Sequence, residues 1–181
     1  MSESEAQLLA LMDSIAAQTL PPVNAWQPSE TRSIDIRIAR NGDWYYQGSK
    51  IERPRMVKLF STVLRVDDDG HTYLVTPQVR LKITVEDAPF TAVLLERHGA
   101  PEADTLVFTT NVGDQVIADE NHPIVVKYNK PGGEPSPYVL VRDSLQALIS
   151  RSVYYELAEL AVERDGSFGL QSRGYFMRLS E

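Results

Sequence analysis

The sequence predicts an α+β protein made of two similar small domains, each an antiparallel sheet with a packed helix, related by internal duplication. Three observations carry that reading. Short apolar or alternating runs recur along the chain, each bounded by Gly, Pro, Asn or Asp, as strands joined by turns require. Strands and helical segments do not alternate strictly, which argues against a doubly wound parallel sheet. The order strands, helix, Asp-Gly turn, closing hairpin occurs twice. An offset of 96 residues lays Asp69-Gly70 on Asp165-Gly166, Leu74 on Leu170, Leu81 on Met177 and Lys82 on Arg178.

The elements follow in order. Across residues 1–20, Leu8, Leu11 or Met12, and Ile15 recur at helical spacing, with Glu3 and Glu5 near the start where negative charge suits the helix dipole. This reads as an amphipathic helix that packs on the body or on a partner. Pro21, Pro22 and Pro28 forbid regular structure, and Trp26 between them is too large to sit in water without cost. The first repeat spans 21–88. Ile34-Asp35-Ile36-Arg37-Ile38 alternates as a half-buried strand, Asn41-Gly42 turns it, and Trp44-Tyr45-Tyr46 returns. Pro54 suits the first position of a helix whose buried face is Met56, Val57, Leu59, Phe60, Val63 and Leu64. Asp67-Asp68-Asp69-Gly70 turns into a hairpin of Tyr73–Thr76 and Val79–Val85.

Glu86-Asp87-Ala88-Pro89 breaks the pattern and marks the boundary with the second repeat, 89–181. There Phe90–Leu95, Thr105–Thr110, Gln115–Ala118, Ile124–Tyr128 and Tyr138–Val141 read as strands. Asp143-Ser144 reads as the cap of a long helix, with Gln146 placed for a capping box and Leu145, Leu148, Ile149, Val153, Leu157 and Leu160 on its inner side. Asp165-Gly166 leads to a last hairpin.

Composition narrows the function classes. With 43% hydrophobic and 24% charged residues, the 181-residue chain has the makings of a core, so wholesale disorder is excluded. Eighteen Lys and Arg against 25 Asp and Glu leave a net charge of -7, the wrong sign for a bulk nucleic-acid binder. The absence of cysteine excludes disulfides, thiolate metal sites and a cysteine nucleophile. The acidic start is unlike a secretory signal, and no apolar run nears the ~20 residues that span a bilayer. A soluble, cytoplasmic protein is expected.

Chemistry-bearing motifs are sparse. His71, His98 and His122 each fall in a turn, outside any metal-ligand spacing. The Asp67–Gly70 run lacks the further ligands of a calcium loop. There is no glycine-rich phosphate loop and no nucleophile elbow, so no cofactor, metal or catalytic residue is expected. What stands out is arginine beside aromatics. Arg53 precedes the first helix and follows Trp44, Tyr45 and Tyr46; Tyr138, Arg142, Arg151 and Tyr154-Tyr155 surround the second. Guanidinium forks match phosphate or carboxylate, and aromatic rings stack on bases. The competing reading is that the tyrosines are core and the arginines are surface ion pairs. Glu86 and Asp87 either cap a turn or pair with these arginines.

Several runs together resemble a bacterial family, domain of unknown function 1285. They are the stretch from Ile34 to Gly48, Arg53–Leu64, Tyr73–Pro77, Val85–Phe90, Pro137–Arg142 and Ser172–Phe176. The resemblance covers Val23 to Leu179. It implies a duplicated α+β architecture whose second half is superficially pleckstrin-homology-like. It also implies a cleft between the halves for a nucleotide-like ligand, and a role in signalling. Ser29–Ser33 replaces a more glycine-containing approach to the first strand.

The expected function is a non-enzymatic module that binds a small anionic, nucleotide-like ligand in bacterial signal transduction. Arg53 and Arg142 would take phosphate, Tyr46 or Tyr138 would stack, and Asp87 would hold a sugar hydroxyl. Trp44, Glu86, Arg151 and Tyr155 complete the candidate set. The alternative is a protein-interaction adaptor without a small ligand, recruiting through the first helix or through edge strands. A hydrolase using Glu86 and Asp87 is least favoured, because neighbouring side chains on an extended chain point to opposite sides.

Overall fold

The computed structural model describes residues 19–99, 104–128 and 131–179. The amphipathic segment predicted before Leu20 lies almost wholly outside them. The described chain forms two compact units, Thr19–Phe90 and the residues from Thr91 onward. It is mostly sheet with two helices, the α+β class that the sequence predicts. No helix among the described residues is long and apolar enough to cross a membrane.

In the first unit a short 3-10 turn, Val23–Ala25, precedes β1 (Glu30–Ile38), β2 (Trp44–Tyr46), β3 (Ser49–Lys50), α1 (Pro54–Ser61), β4 (Leu64–Val66), β5 (Thr72–Val75) and β6 (Val79–Val85). One six-stranded sheet holds them in the order β3-β2-β1-β6-β5-β4. Its neighbours are antiparallel except for the central pair, where β1 runs parallel to β6 and Ile38 faces Val85. Ile36 and Ile38 alternate inward from β1 and join Trp44, Leu64, Leu74, Val75, Ile83 and Phe90 in the core. The proline-rich strap is held by one side chain. Arg65 on β4 donates to the carbonyls of Val23 and Trp26 at 2.8 and 2.9 Å, while its Nε and second amino group grip Asp67 at 2.5 and 3.1 Å.

Helix α1 differs from expectation in length and burial. It ends at Ser61, so Val63 and Leu64 belong to the turn into β4 and to β4 itself. Met56 is 37% and Leu59 63% exposed, so these two residues of the expected buried face look outward. Pro54 does occupy the first turn.

The second unit contains β7 (Phe90–His98), β8 (Thr105–Thr110), β9 (Gln115–Ile117), β10 (Ile124–Tyr128), β11 (Pro135–Arg142), β12 (Leu145–Ile149), α2 (Arg151–Leu160), β13 (Val162–Arg164), β14 (Ser167–Ser172) and β15 (Tyr175–Arg178). The sheet order β10-β11-β12-β7-β8-β9, read from its other edge, is the strand order of the first sheet. β13, β14 and β15 form a separate three-stranded sheet. It is tied to the larger one by the backbone N–H of Leu106, which donates to the buried Ser172 hydroxyl at 3.0 Å.

The expected helix from Asp143 is a correction. Asp143 takes a positive φ of 49° and reverses the chain, so Leu145–Ile149 pairs with β11 as a strand, Val139 facing Ala147 and Tyr138 facing Leu148. Its apolar run is that of a central strand buried on both faces, a pattern that spacing alone does not separate from a buried helix. Helix α2 begins at Arg151 instead. Ser150 is its cap, accepting from the Val153 N–H at 3.5 Å.

The repeat seen at an offset of 96 survives as a helix followed by an antiparallel meander: α1-β4-β5-β6, then α2-β13-β14-β15. Leu74 faces Leu81 in one and Leu170 faces Met177 in the other; Tyr73 faces Lys82, and Gly169 faces Arg178. The two closing hairpins share one register.

Candidate functional site

The predicted residues of the first unit separate into packing, capping and surface positions. Trp44 on β2 is 1% exposed, and its ring stacks on Phe60 of α1 at 6.2 Å, so it is a core residue. Its indole nitrogen is buried without an acceptor among the described residues. Tyr46, two residues on, is 45% exposed. The Arg53 side chain is exposed, and its carbonyl accepts from Met56 and Val57 at the start of α1.

Glu86 and Asp87 finish β6 by capping the end of β1. Glu86 accepts from the Arg37 guanidinium at 2.5 Å and the Arg40 backbone N–H at 3.0 Å, and Asp87 pairs with Arg40 at 2.9 Å. The Arg37 guanidinium lies 4.3 Å over the Tyr45 ring. The Arg40 N–H first, then Arg37, holds Glu86 below the usual carboxylate range. Both carboxylates are thus engaged by Arg37 and Arg40, neither of which stood among the candidate arginines.

In the second unit Tyr138 is a buried residue of β11, with the Lys127 ammonium 4.6 Å from its ring centroid. Tyr155 on α2 is exposed. Arg151 pairs with Glu134 at 3.3 Å, but both side chains are largely in water, where such a pair contributes little. Arg142, the last residue of β11, is different. Its side chain keeps 17% of its exposure and faces Asp114, itself at 12%, across 3.5 Å. Burial pushes this guanidinium below its ordinary pKa, while the Asp114 and Asp143 carboxylates oppose the shift.

Around Arg142 and Asp114 the turn after β8 and the start of β7 bring together polar groups rarely found inside. Thr91, Thr110 and Asp114 are all buried. The Thr91 N–H donates to Asn111 Oδ1 at 3.0 Å, and the Asn111 N–H returns to the Thr91 carbonyl at 2.8 Å. The Asp114 N–H donates to Thr110 Oγ1 at 3.1 Å. The Thr91 hydroxyl is enclosed without a partner among the described residues. A half-buried cation, a facing carboxylate and an unsatisfied hydroxyl at strand ends make this the polar centre of the unit.

Sequence reasoning chose Arg142 and missed Thr91, Thr110, Asn111 and Asp114. The 111–114 run carries the signature of a turn, and nothing in one sequence shows that its aspartate folds inward toward an arginine 28 residues away. The histidines sit apart: His71 lies 3.1 Å from the Lys82 ammonium, His122 lies 3.1 Å from Asp119, and His98 ends β7. No group of three or more metal-ligating side chains occurs among the described residues.

Two family models divide the chain. Residues 21–88 match the domain of unknown function (DUF1285), N-terminal domain, and residues 89–179 match the protein of unknown function (DUF1285), C-terminal domain. Among solved structures, the chain is similar to a DUF1285 family protein from Silicibacter pomeroyi DSS-3, at 45% identity and a TM-score of 0.84 over 93% of each chain. It is also similar to a DUF1285 family protein from Shewanella baltica OS155, at 29% identity and a TM-score of 0.54, covering 68% of this chain and 90% of that one. No curated protein matches the chain.

Proposed function

The chain belongs to the DUF1285 family, and from that premise we propose that it is a non-enzymatic binding module taking a small anion at the Arg142 end of its second unit. The observation that carries this reading is the withdrawal of Arg142 from water beside the buried Asp114, whose own backbone N–H is held by Thr110. A desolvated guanidinium keeps a strong local positive field even in a chain of net charge -7, because low surrounding dielectric screens it less. Arg142 faces Asp114 at 3.5 Å, and its planar fork of donors matches the oxygens of a phosphate or carboxylate. The nucleotide-like character of the ligand follows the family resemblance. Tyr138 supplies no stacking platform for it, being buried. Occupancy would be the signal in a cytoplasmic sensing role.

Calorimetric titration with nucleoside mono-, di- and triphosphates and cyclic nucleotides tests the proposal. Saturable heat with one class, abolished in Arg142→Gln while the fold persists, is the expected result. Silence across the whole series, or equal affinity in Arg142→Gln, refutes it.

A second reading, a protein-interaction adaptor, is favoured by Tyr155 and Phe168, which expose 60% and 54% of large apolar side chains. Loss of a captured partner in Tyr155→Ser with Phe168→Ser, but not in Arg142→Gln, would select this reading over the first.

A further inference from the structure

We propose that α1 and its cap form a patch that docks the first unit on an anionic lipid bilayer, lying on the membrane rather than crossing it. Met56 and Leu59, three residues apart on one face, are 37% and 63% exposed, while Phe60 turns inward and stacks on the buried Trp44. Arg53, the cap residue, and Arg55, in the first turn, flank them with exposed side chains. Tyr46, 45% exposed, lies on the same side of the sheet as α1, because it alternates with Trp44 along β2. These are the side chains a bilayer interface accepts: apolar chains among the acyl groups, guanidinium on phosphate, and an aromatic ring at headgroup level.

Charge selects an anionic occupant. Residues 44–66 hold five basic residues and one acidic, Glu52. Elsewhere in the first unit the cations are spoken for: Arg32, Arg37, Arg40, Lys50, Arg65 and Arg80 each hold a carboxylate. Arg53 and Arg55 hold none among the described residues, and no acidic residue in the first turn of α1 offsets the helix dipole there. The second unit has the wrong sign for such a surface. From Thr91 to the end there are eight basic and thirteen acidic residues, against ten and nine in Thr19–Phe90. Size selects lipid over protein. Two apolar side chains along an eight-residue helix, about 12 Å long, fall far short of the ~800 Å² per partner of a stable protein interface. A bilayer needs no matching surface, since it takes apolar side chains singly and each nearby cation adds attraction.

Flotation of the full-length protein with vesicles is the test. Vesicles of phosphatidylglycerol and phosphatidylcholine should carry the protein, phosphatidylcholine alone should not, and added salt should weaken the binding. Arg53→Glu with Arg55→Glu should lower vesicle affinity at least ~tenfold, and Leu59→Ser ~tenfold with every charge kept. Unchanged tryptophan fluorescence in the vesicle-free variants shows that Trp44 stays packed. In the cysteine-free chain, a polarity-sensitive dye on Leu59→Cys should shift to the blue on anionic vesicles, and the same dye on Tyr155→Cys in the second unit should not. Absence of flotation, equal binding to phosphatidylcholine alone, equal binding by the Arg53 and Arg55 variant, or a blue shift at position 155 and not 59 overturns the proposal. So does saturable binding of poly-glutamate, lost in that variant, without any vesicle binding, because the occupant is then an acidic protein.

Discussion

Replacing Arg65 with methionine keeps the apolar stem and removes every donor, which isolates what the guanidinium does. In the native unit it makes four bonds, two to Asp67 and one each to the carbonyls of Val23 and Trp26, with 16% of the side chain exposed. Bonds to a charged group contribute ~1.5–3 kcal/mol each, and the low exposure lets water replace only part of the two carbonyl contacts. Asp67 is not stranded, because Arg80 also holds it. The expected loss is therefore ~2–4 kcal/mol, on the order of 10–20 °C in melting temperature for a domain of this size. The assay has a built-in reporter: the chain's two tryptophans, Trp26 and Trp44, both belong to the first unit, so their fluorescence follows that unit alone. Protease cleavage between Leu20 and Pro28 should accelerate in parallel, and Arg65→Lys should recover only part of the loss because it keeps charge without the fork. A fall below ~1 kcal/mol, the worth of an exposed ion pair, would refute the strap as the object of these bonds.

Gly169→Ala should destabilise the three-stranded sheet by ~1–3 kcal/mol or more, read as faster amide exchange in β14 and β15. A Cβ there would overlap the Met177 carbonyl oxygen and come within 2.5 and 2.9 Å of two Phe176 ring carbons. Acid should unfold the first unit through its anchored carboxylates. Hydrogen bonding from Arg65, then Arg80, lowers Asp67, and the Arg40 N–H lowers Glu86, so both have folded values beneath their unfolded ones. The stability they contribute is present above the ordinary carboxylate range, near pH ~4, and is lost as pH falls through the lowered folded values. Tryptophan-monitored stability should be flat near neutrality and fall below that range, less steeply in Asp67→Asn. Ser150→Ala should cost α2 ~0.5–1 kcal/mol, the low end for a cap because its bond is long, measured by chemical denaturation of the second unit.

Strands were legible where turn chemistry and alternation agreed, as in Ile34–Ile38 with Asn41-Gly42, or Asp165-Gly166 before the last hairpin. The misreading at Leu145–Ile149 has a definite origin. Asp143-Ser144 followed by an apolar run is both a helix cap and a hairpin turn, and the choice is made by pairing with β11, which is information from outside the segment. Burial was harder to read than structure. Trp44 became core against Phe60 of α1 and Tyr138 on β11, a strand paired on both sides, whereas Met56 and Leu59 stayed exposed on a helix with the right spacing to be buried. Among the candidate arginines, Arg142 is the one the fold withdraws from water, and its carboxylate partner comes from a turn whose local pattern does not show that Asp114 folds inward. Such arginine contacts are long-range, as the Arg65 bond to the Val23 carbonyl and the Arg37 ion pair with Glu86 also show.

The two helix-plus-meander copies show what the strap asks of the first unit. Their closing hairpins share a register, yet the positions that carry the network in the first copy carry nothing equivalent in the second. Arg65 faces Tyr73 across β4 and β5, while Val162 faces Gly169 across β13 and β14. Arg80, which holds Asp67 and lies 4.5 Å over the Tyr73 ring, stands where the second copy has Phe176, paired with Gln171 as Arg80 is with Val75. In the second copy the missing side chain at Gly169 leaves room for the Phe176 ring instead. A meander therefore closes well without any arginine. The Arg65, Asp67 and Arg80 cluster is not a requirement of the hairpin but of the segment laid over it in the first copy, a proline-rich chain whose Val23 and Trp26 carbonyls accept from Arg65. The energetic role of Arg65 then depends on the strap being present: with Pro21–Pro28 removed, Arg65→Met should cost the first unit little.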